Sequence, residues 1–590
     1  MSKAQRLGMR PYVVAHDSWQ ALSRLFEFRL AGSVMVLVVL AVLVIVPLIF
    51  MFLASFRPAG VLPTEAGLFT VSPYVQAYMG TGTWPLIRNT LLYAGLGVIF
   101  ALPLAFGFAF LTERTDMPLR NAMYVLMFIP MSTPIFATAL GWVLLLGPRG
   151  GTINVYLRQL AGTEAADGPF NIFSLGGLIF VHVLGIVPTM WLFLTAVLRQ
   201  MDPTLEEAAA ASGAGRWQVL RTVTTPLMRP GVAAVAIYFF ITGLESLELP
   251  LALGPTAGID LLSTKIFFSL IPTADLGVNY GIPAAFGMLG LAMGILGTLL
   301  YLRLVRQASQ YAVITGKGYR PKLIQLGGWK YVAFGAIGLF VLIKVILPFA
   351  VLVYASFLRF YVPPVREYFG DMDWTLLHYQ QLLDYRFFGR YFVNTVIVAA
   401  GAATLTMLMV TFIGWLIVRS PSRLTEMINL VAFMPLAIPG VISTLALFLM
   451  FIGTPIHGTL ILLTLAFIAR YLAFGTRLMH SAVLQIHKEL EEVSHTSGAS
   501  NSQTFIRITL RLLVPAFLNG WLWVLVHAAK DFSVALLLAS AGSVLVANII
   551  YESFVGGHFN SSAAMLVVLI LFNLTFVITG RKWIGKALGH

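Results

Sequence analysis

Cysteine is absent from all 590 residues, which excludes a disulfide framework and any thiolate metal or redox centre. Charge is scarce. Asp, Glu, Lys and Arg make up 11% of the chain against 58% hydrophobic residues, with a mean hydropathy of +0.87. No water-soluble fold of this length carries such a composition on its surface. Acidic residues are the scarcer sign, 24 against 38 basic ones. The basic excess is scattered over short loops with no aromatic-interleaved stripe, so it points to a membrane surface and not to nucleic acid. The ten histidines form no HExxH pair or other ligand spacing, so no metal site is expected. Gly580-Arg581-Lys582-Trp583-Ile584-Gly585-Lys586 resembles a phosphate loop, but Ala587 stands where Ser or Thr is required and no strand precedes it. No catalytic constellation and no cofactor is expected. Residues 1–29 carry five basic residues and no small-residue cleavage site, so they are expected to be a retained cytosolic leader. The stretch around Trp19, Leu22, Leu25 and Phe26 within it is expected to be an amphipathic interfacial helix.

Long apolar runs dominate what is present. A crossing needs about 20 such residues, and runs of that length fall near 30–54, 88–112, 121–146, 174–197, 231–252 and 284–306, then near 330–357, 391–418, 427–452, 456–478, 516–540 and 563–583. The fold class is therefore an all-α polytopic membrane protein of about 12 transmembrane helices. An even number places both termini on one side. The loops on that side hold 26 Lys and Arg against 9 on the other, which makes it the cytoplasmic side.

The chain also repeats itself. Pro47 and Ser55-Phe56 return as Pro348 and Ser356-Phe357 at an offset of 301, and Asn89-Thr90, Pro130 and Pro134 return as Asn394-Thr395, Pro435 and Pro439 at 305. After an external loop at 147–173 that is longer than its counterpart at 453–456, the offset falls to 285. Each half is a six-helix unit, and the pair is related by a parallel pseudo-two-fold axis along the membrane normal. The first unit is expected at 1–306, a basic cytosolic linker at 307–329 and the second unit at 330–590.

The sharpest repeat is cytosolic. Leu205-Glu206-Glu207-Ala208-Ala209, three residues, Gly213-Ala214 and then Pro226 and Pro230 match Leu490-Glu491-Glu492-Val493-Ser494, three residues, Gly498-Ala499 and Pro515. Asp202-Pro203-Thr204 starts a short helix, because Asp or Thr can cap and proline is tolerated in the first turn. Leu205 to Ala211 are strong helix formers, and Gly213 ends the helix. A small-residue face of Ala208, Ala209 and Ala211 lets another protein approach closely, while Glu207 can accept bonds from that partner or cap its own turn. One copy would be an ordinary interfacial helix. Two copies at the same topological position indicate a two-fold partner.

This Glu-Ala-Ala, three residues, Gly-Ala pattern resembles the coupling loop of type I importer permeases of the ATP-binding-cassette superfamily. The likeness covers nearly the whole chain, and two fused six-helix permeases of this length resemble the ferric-iron permease group. The resemblance implies that loops 198–230 and 479–515 each dock on one of two cytosolic ATPase subunits, through Glu206, Glu207, Ala208, Ala209, Gly213, Ala214, Glu491, Glu492, Gly498 and Ala499. It also implies an extracytoplasmic solute-binding protein, a bacterial inner-membrane location and ATP hydrolysis on separate subunits. Val493-Ser494 in place of Ala-Ala, and Arg511 in place of Pro226, imply docking sites of unequal strength.

Ionisable groups inside spans are costly and mark candidate pathway residues. Glu245 and Glu248 lie in the fifth span, Lys530 and Asp531 at the matching depth of the eleventh, and Arg470 in the tenth. Glu245 is about 21 Å from Gly231 along a helix, toward the outer half. Spaced by three, Glu245 and Glu248 are expected to share a helix face. They are read as a pathway lining or gate, with a structural ion pair to Lys530 as the alternative; Arg470 either lines the cavity or snorkels. Gly287, Gly290, Gly294 and Gly297 in the sixth span point to close helix packing, and the four repeated prolines to kinks. By resemblance the solute is ferric iron, with polyamine, thiamine or aminoethylphosphonate as alternatives. A secondary transporter fits the buried carboxylates but leaves the paired cytosolic loops unexplained.

Overall fold

A computed structural model describes residues 30–587 apart from 66, 164, 200–202, 272–277, 310–322 and 385–387, with the side chains of some helical residues also outside the description. The leader helix around Trp19, the cap residue Asp202 and the middle of the linker fall outside the described residues. Among the described residues, ten helices are long and apolar enough to cross a membrane. They include Leu30–Ala54, Thr83–Arg114, Leu175–Arg199, Leu220–Leu244 and Gly281–Arg306 in the first half, and Trp329–Ser356, Phe388–Arg419, Leu460–Leu484, Ser502–Ala529 and Phe559–Gly580 in the second.

The expected twelve are thus not twelve rods. The third span is two shorter helices, Arg120–Ser132 and Ile135–Leu146, with Pro134 at the junction. The ninth is Arg423–Leu436 followed by Gly440–Phe451, bent by 107°. Pro134 and Pro439 hold near-identical extended backbone (ψ 137° and 136°) immediately before the second helix of each pair. Proline cannot donate to the preceding turn, so the helix stops there and restarts on a fresh set of unpaired N–H groups. Two of the four repeated prolines therefore break their spans outright.

A second correction concerns the fifth and eleventh spans. Helix Thr225–Leu244 ends at Glu245, and a new helix, Glu248–Ala257, begins three residues later. Leu510–Ala529 ends at Lys530, and Ser533–Leu538 follows. Glu245 and Glu248 thus flank a break and do not share one helix face. The π-helical turns repeat as well, Ala41–Ile45 with Leu342–Ile346 and Leu220–Thr224 with Phe505–Thr509. Arg511 stands where the first half has Pro226, yet the turn at 505–509 is kept, so Pro226 does not cause it.

The halves are interwoven. The first span packs on Gly440–Phe451 of the second half, and Leu347–Ser356 of the seventh span packs on Ile135–Leu146 of the first. At the latter crossing a Cβ on Gly141 would lie 2.7 Å from Pro348 Cβ, so only glycine permits this approach. The sixth-span glycines serve the same end. A Cβ on Gly294 would meet Pro439, and one on Gly287 would meet Met51 and Leu445, so the glycine stripe packs against the bent ninth span.

The threonines of the repeated Asn-Thr pairs fasten two short helices. Thr90 Oγ1 accepts from Leu262 N at 2.9 Å, and Thr395 Oγ1 accepts from Val546 N at 3.0 Å, each capping a short helix. The longer loop at 147–173 forms helix Thr152–Ala161, folded around Asn154, whose amide donates to Leu146, Gly147 and Phe170 carbonyls. Tyr361 of the second half donates to Leu144 O and pairs with Thr152 Oγ1 at 2.6 Å. Burial raises its phenol well above the ordinary range, so it remains a hydroxyl. At the end of the linker, the backbone N–H groups of Ile324 and Leu326 donate to Arg114 O and Asp116 Oδ1. The phosphate-loop lookalike at 580–586 continues the last helix, Phe559–Ala587.

Candidate functional site

The two repeated loops fold alike. Helix Pro203–Ala211 and helix Glu489–Thr496 each end in a glycine with left-handed backbone, Gly213 at φ 87° and Gly498 at φ 86°. Ala214 N donates back to Ala209 O and Ala499 N to Ser494 O, both at 3.1 Å. This six-to-one bond closes a helix end on a glycine that escapes the Cβ penalty. Glu207, Ala208, Ala211 and Gly213 are exposed, Ala209 and Ala214 half-buried; Glu492 and Gly498 are exposed and Ala499 half-buried. Nothing lies within 4 Å of a Cβ added to either glycine. The surface is open to a partner.

The neighbouring glutamates turn the other way. Glu206 pairs with Arg114 at 3.2 Å and accepts from Thr224 at 2.8 Å; Glu491 pairs with Arg419 at 3.1 Å and accepts from Thr509 at 2.9 Å. Both arginines end their spans at the same offset of 305 that relates the Asn-Thr pairs. That offset is the signal by which they can be found in the sequence, although a lone arginine at a span end reads as an ordinary positive-inside residue. The departure Val493-Ser494 is also accommodated. Val493 is exposed, and Ser494 Oγ pairs with Thr504 Oγ1 at 2.9 Å in a buried contact. In the first loop those two positions are Ala209 and Val219, so both members of the pair change together.

Far from the loops, the breaks of the fifth and eleventh spans meet across the two halves. Gly440 N–H, the first of helix Gly440–Phe451, donates to a Glu245 carboxylate oxygen, and Phe532 N–H donates to Glu248 Oε1 at 3.0 Å. Both carboxylates of the first half therefore cap helix starts of the second, where unpaired N–H groups and the helix dipole favour negative charge. Asp531 accepts from Val534 N at 2.9 Å and pairs with Arg470 Nε at 3.2 Å. A Cβ on Gly440 would lie 2.9 Å from Glu245 and would meet the Arg470 guanidinium, so glycine is required there too. Glu245, Glu248, Arg470 and Asp531 are brought together. Lys530 ends the helix beside them, half-buried. A void beside Glu245 and Pro439 has about 10 Å³, room for one water. The contact is closed.

Within the first half, the break is also held by Tyr93, His182 and Ser263. Tyr93 OH contacts Ser246 Oγ and His182 Nδ1, each at 3.0 Å, and Ser263 Oγ donates to Ser246 O. Ser246 is the counterpart of Asp531, and Phe467 takes the place of His182. Sequence reasoning missed this triad because its members sit singly in three different spans. It also missed Lys344, which is buried in the seventh span and donates to Thr138 Oγ1 of the first half at 3.0 Å.

Known proteins agree with this architecture. The family described as binding-protein-dependent transport system inner membrane component matches residues 97–310 and again 407–582. A ferric transport system permease protein of Actinobacillus pleuropneumoniae is 26% identical over 84% of this chain and 70% of its own. An Fe(3+)-transport system permease protein of Haemophilus influenzae is 22% identical over 85% and 90%. The molybdenum transport system permease protein of Escherichia coli is 30% identical over 27% of this chain and 67% of its own. With the matched unit present twice on one chain of membrane helices, the protein is a fused importer permease and belongs to the binding-protein-dependent transport system inner membrane component family.

Proposed function

We propose that this chain is the transmembrane subunit of an ATP-driven importer, in which two permease domains, 1–306 and 330–590, alternate access to a central pathway. The observation that carries this reading is the pair of equivalent cytosolic helices with outward-facing Glu207 and Glu492, one for each of two ATPase subunits. The termini and both loops lie in the cytoplasm, and an extracytoplasmic binding protein delivers solute from the opposite side. Glu245 and Glu248 act as the gate, since separating the halves requires both carboxylates to leave the N–H groups that they cap. Ferric iron is the solute best supported, because two relatives that span most of the chain are named for it.

Reconstitution tests the reading. In vesicles with the ATPase subunits and the binding protein, ferric iron uptake is expected only with ATP. Glu245→Gln combined with Glu248→Gln should change uptake while the ATPase subunits still co-purify. Uptake driven by an ion gradient without ATP would make the chain a secondary transporter instead. Displacement of iron from the binding protein by polyamine, thiamine or aminoethylphosphonate would reassign the solute.

A further inference from the structure

Glu206 and Glu491 sit one residue before the exposed Glu207 and Glu492, but their carboxylates are occupied inside the protein. The guanidinium that holds each one reaches a further element. Arg114 Nη2 donates to Leu198 O at 3.3 Å, and Arg419 Nη2 donates to Ile486 O at 2.7 Å. Leu198 lies in the last turn of the fourth span, Ile486 just beyond the end of the tenth. Four pieces of chain therefore converge on one arginine–glutamate pair in each half. They are the end of the second or eighth span, the end of the fourth or tenth, the surface helix, and the π-helical turn that opens the fifth or eleventh. Arg114 is 2% exposed and the Arg419 side chain 5%, so solvent screens these pairs little.

What lies at the far end of the last element gives the convergence its meaning. Thr224 and Thr509, the hydroxyl donors to the two glutamates, are each followed by an unbroken helix that runs to Glu245 and to Lys530. Each helix has 20 residues, about 30 Å in length, and stays continuous through the proline in its second turn, Pro230 or Pro515. Its cytosolic end is pinned to the surface helix; its other end carries Glu245 in the first half and, in the second, lies two residues before Phe532, whose N–H donates to Glu248.

We propose that Arg114–Glu206 and Arg419–Glu491 are coupling struts. They are positioning residues that make the surface helix and the start of the fifth or eleventh span move as one body, so that displacement of the loop by a partner reaches the gate. The idea rests on the importer reading above. Without the struts, the loop would swing on its glycine turn and the helices would stay in place. The π-helical turn beside each strut fits this role, since such turns are short irregularities common at functional sites.

The test uses the full chain assembled with its ATPase subunits and binding protein. Glu206→Gln with Glu491→Gln keeps side-chain shape and the acceptor for the threonines but removes the ion pair. The ATPase subunits should stay bound, while solute moved per ATP hydrolysed falls by at least about tenfold, the change expected for losing a charge-assisted bond. Arg114→Lys with Arg419→Lys, which keeps the charge and loses the fork, should fall between. Should the glutamine pair not accumulate in the membrane, Glu206→Asp with Glu491→Asp, which retracts the carboxylate, is read the same way. Unaltered transport per ATP would overturn the struts, and so would loss of the ATPase subunits in step with uptake, which would make these glutamates docking residues. Failure of the importer reading would show separately, as absence of ATP-dependent uptake by the unaltered complex.

Discussion

Gly213 and Gly498 hold left-handed backbone at the ends of the two surface helices, where any other L-residue pays about 1–2 kcal/mol. Gly213→Val with Gly498→Val should therefore unsettle both loops and lower solute-stimulated ATP hydrolysis in the assembled complex, with membrane insertion intact. Coupling equal to that of the unaltered protein would remove these turns from the mechanism. A second residue-level expectation concerns Ser494 and Thr504. Ser494→Ala alone leaves a buried hydroxyl on Thr504 without its partner, at a cost of about 1–3 kcal/mol. Adding Thr504→Val, which reproduces the pairing of the first loop, should return most of that loss in thermal unfolding of the purified protein. The glycines were legible in the sequence because one offset aligns them. Glu206 was legible only in part: its repetition is plain, but its inward direction depends on Arg114, which is 92 residues away in the sequence and meets it only once the second and fifth spans are side by side.

Among the elements, hydropathy located the membrane crossings and left their interruptions unread. A window that counts apolar residues scores Thr225–Leu244 and Glu248–Ala257 as one run, because the break between them is three residues long and is stabilised from the other half. The N–H groups that receive Glu245 and Glu248 belong to Gly440 and Phe532, and no local pattern announces a partner so distant. Pro134 and Pro439 could be read as kinks, since the cause is on the residue itself. The crossing of Ile135–Leu146 by Leu347–Ser356 supplies the test at this scale. Gly141→Leu would drive a side chain into the Pro348 backbone and should destabilise the protein by about 1–3 kcal/mol or more, measured as a lower unfolding temperature in detergent. Gly107→Ala, at a helical position with nothing within 4 Å of the added Cβ, should be tolerated or slightly stabilising.

Taken whole, the molecule is symmetric in backbone and asymmetric in charge. Both halves break the same spans at the same places, yet the first holds its break with Tyr93, His182 and Ser246, and the second with Arg470 and Asp531. An ion pair that loses one partner leaves a buried charge, whereas a neutral triad that loses one member leaves only an unmet hydrogen bond. Arg470→Met should therefore impair uptake more severely than Tyr93→Phe when both are measured in the reconstituted complex. The interweaving of the halves has a further consequence, in time and not in space. Synthesis delivers Ile135–Leu146 well before Leu347–Ser356, the helix that covers Gly141 and whose neighbour Lys344 meets Thr138. At about 5–20 residues per second, the roughly 200 intervening residues leave that groove uncovered for some tens of seconds. A nascent first half is therefore a substrate for membrane quality control until its sister arrives, and a chain that stalls in the linker is expected to be cleared instead of persisting as half a transporter.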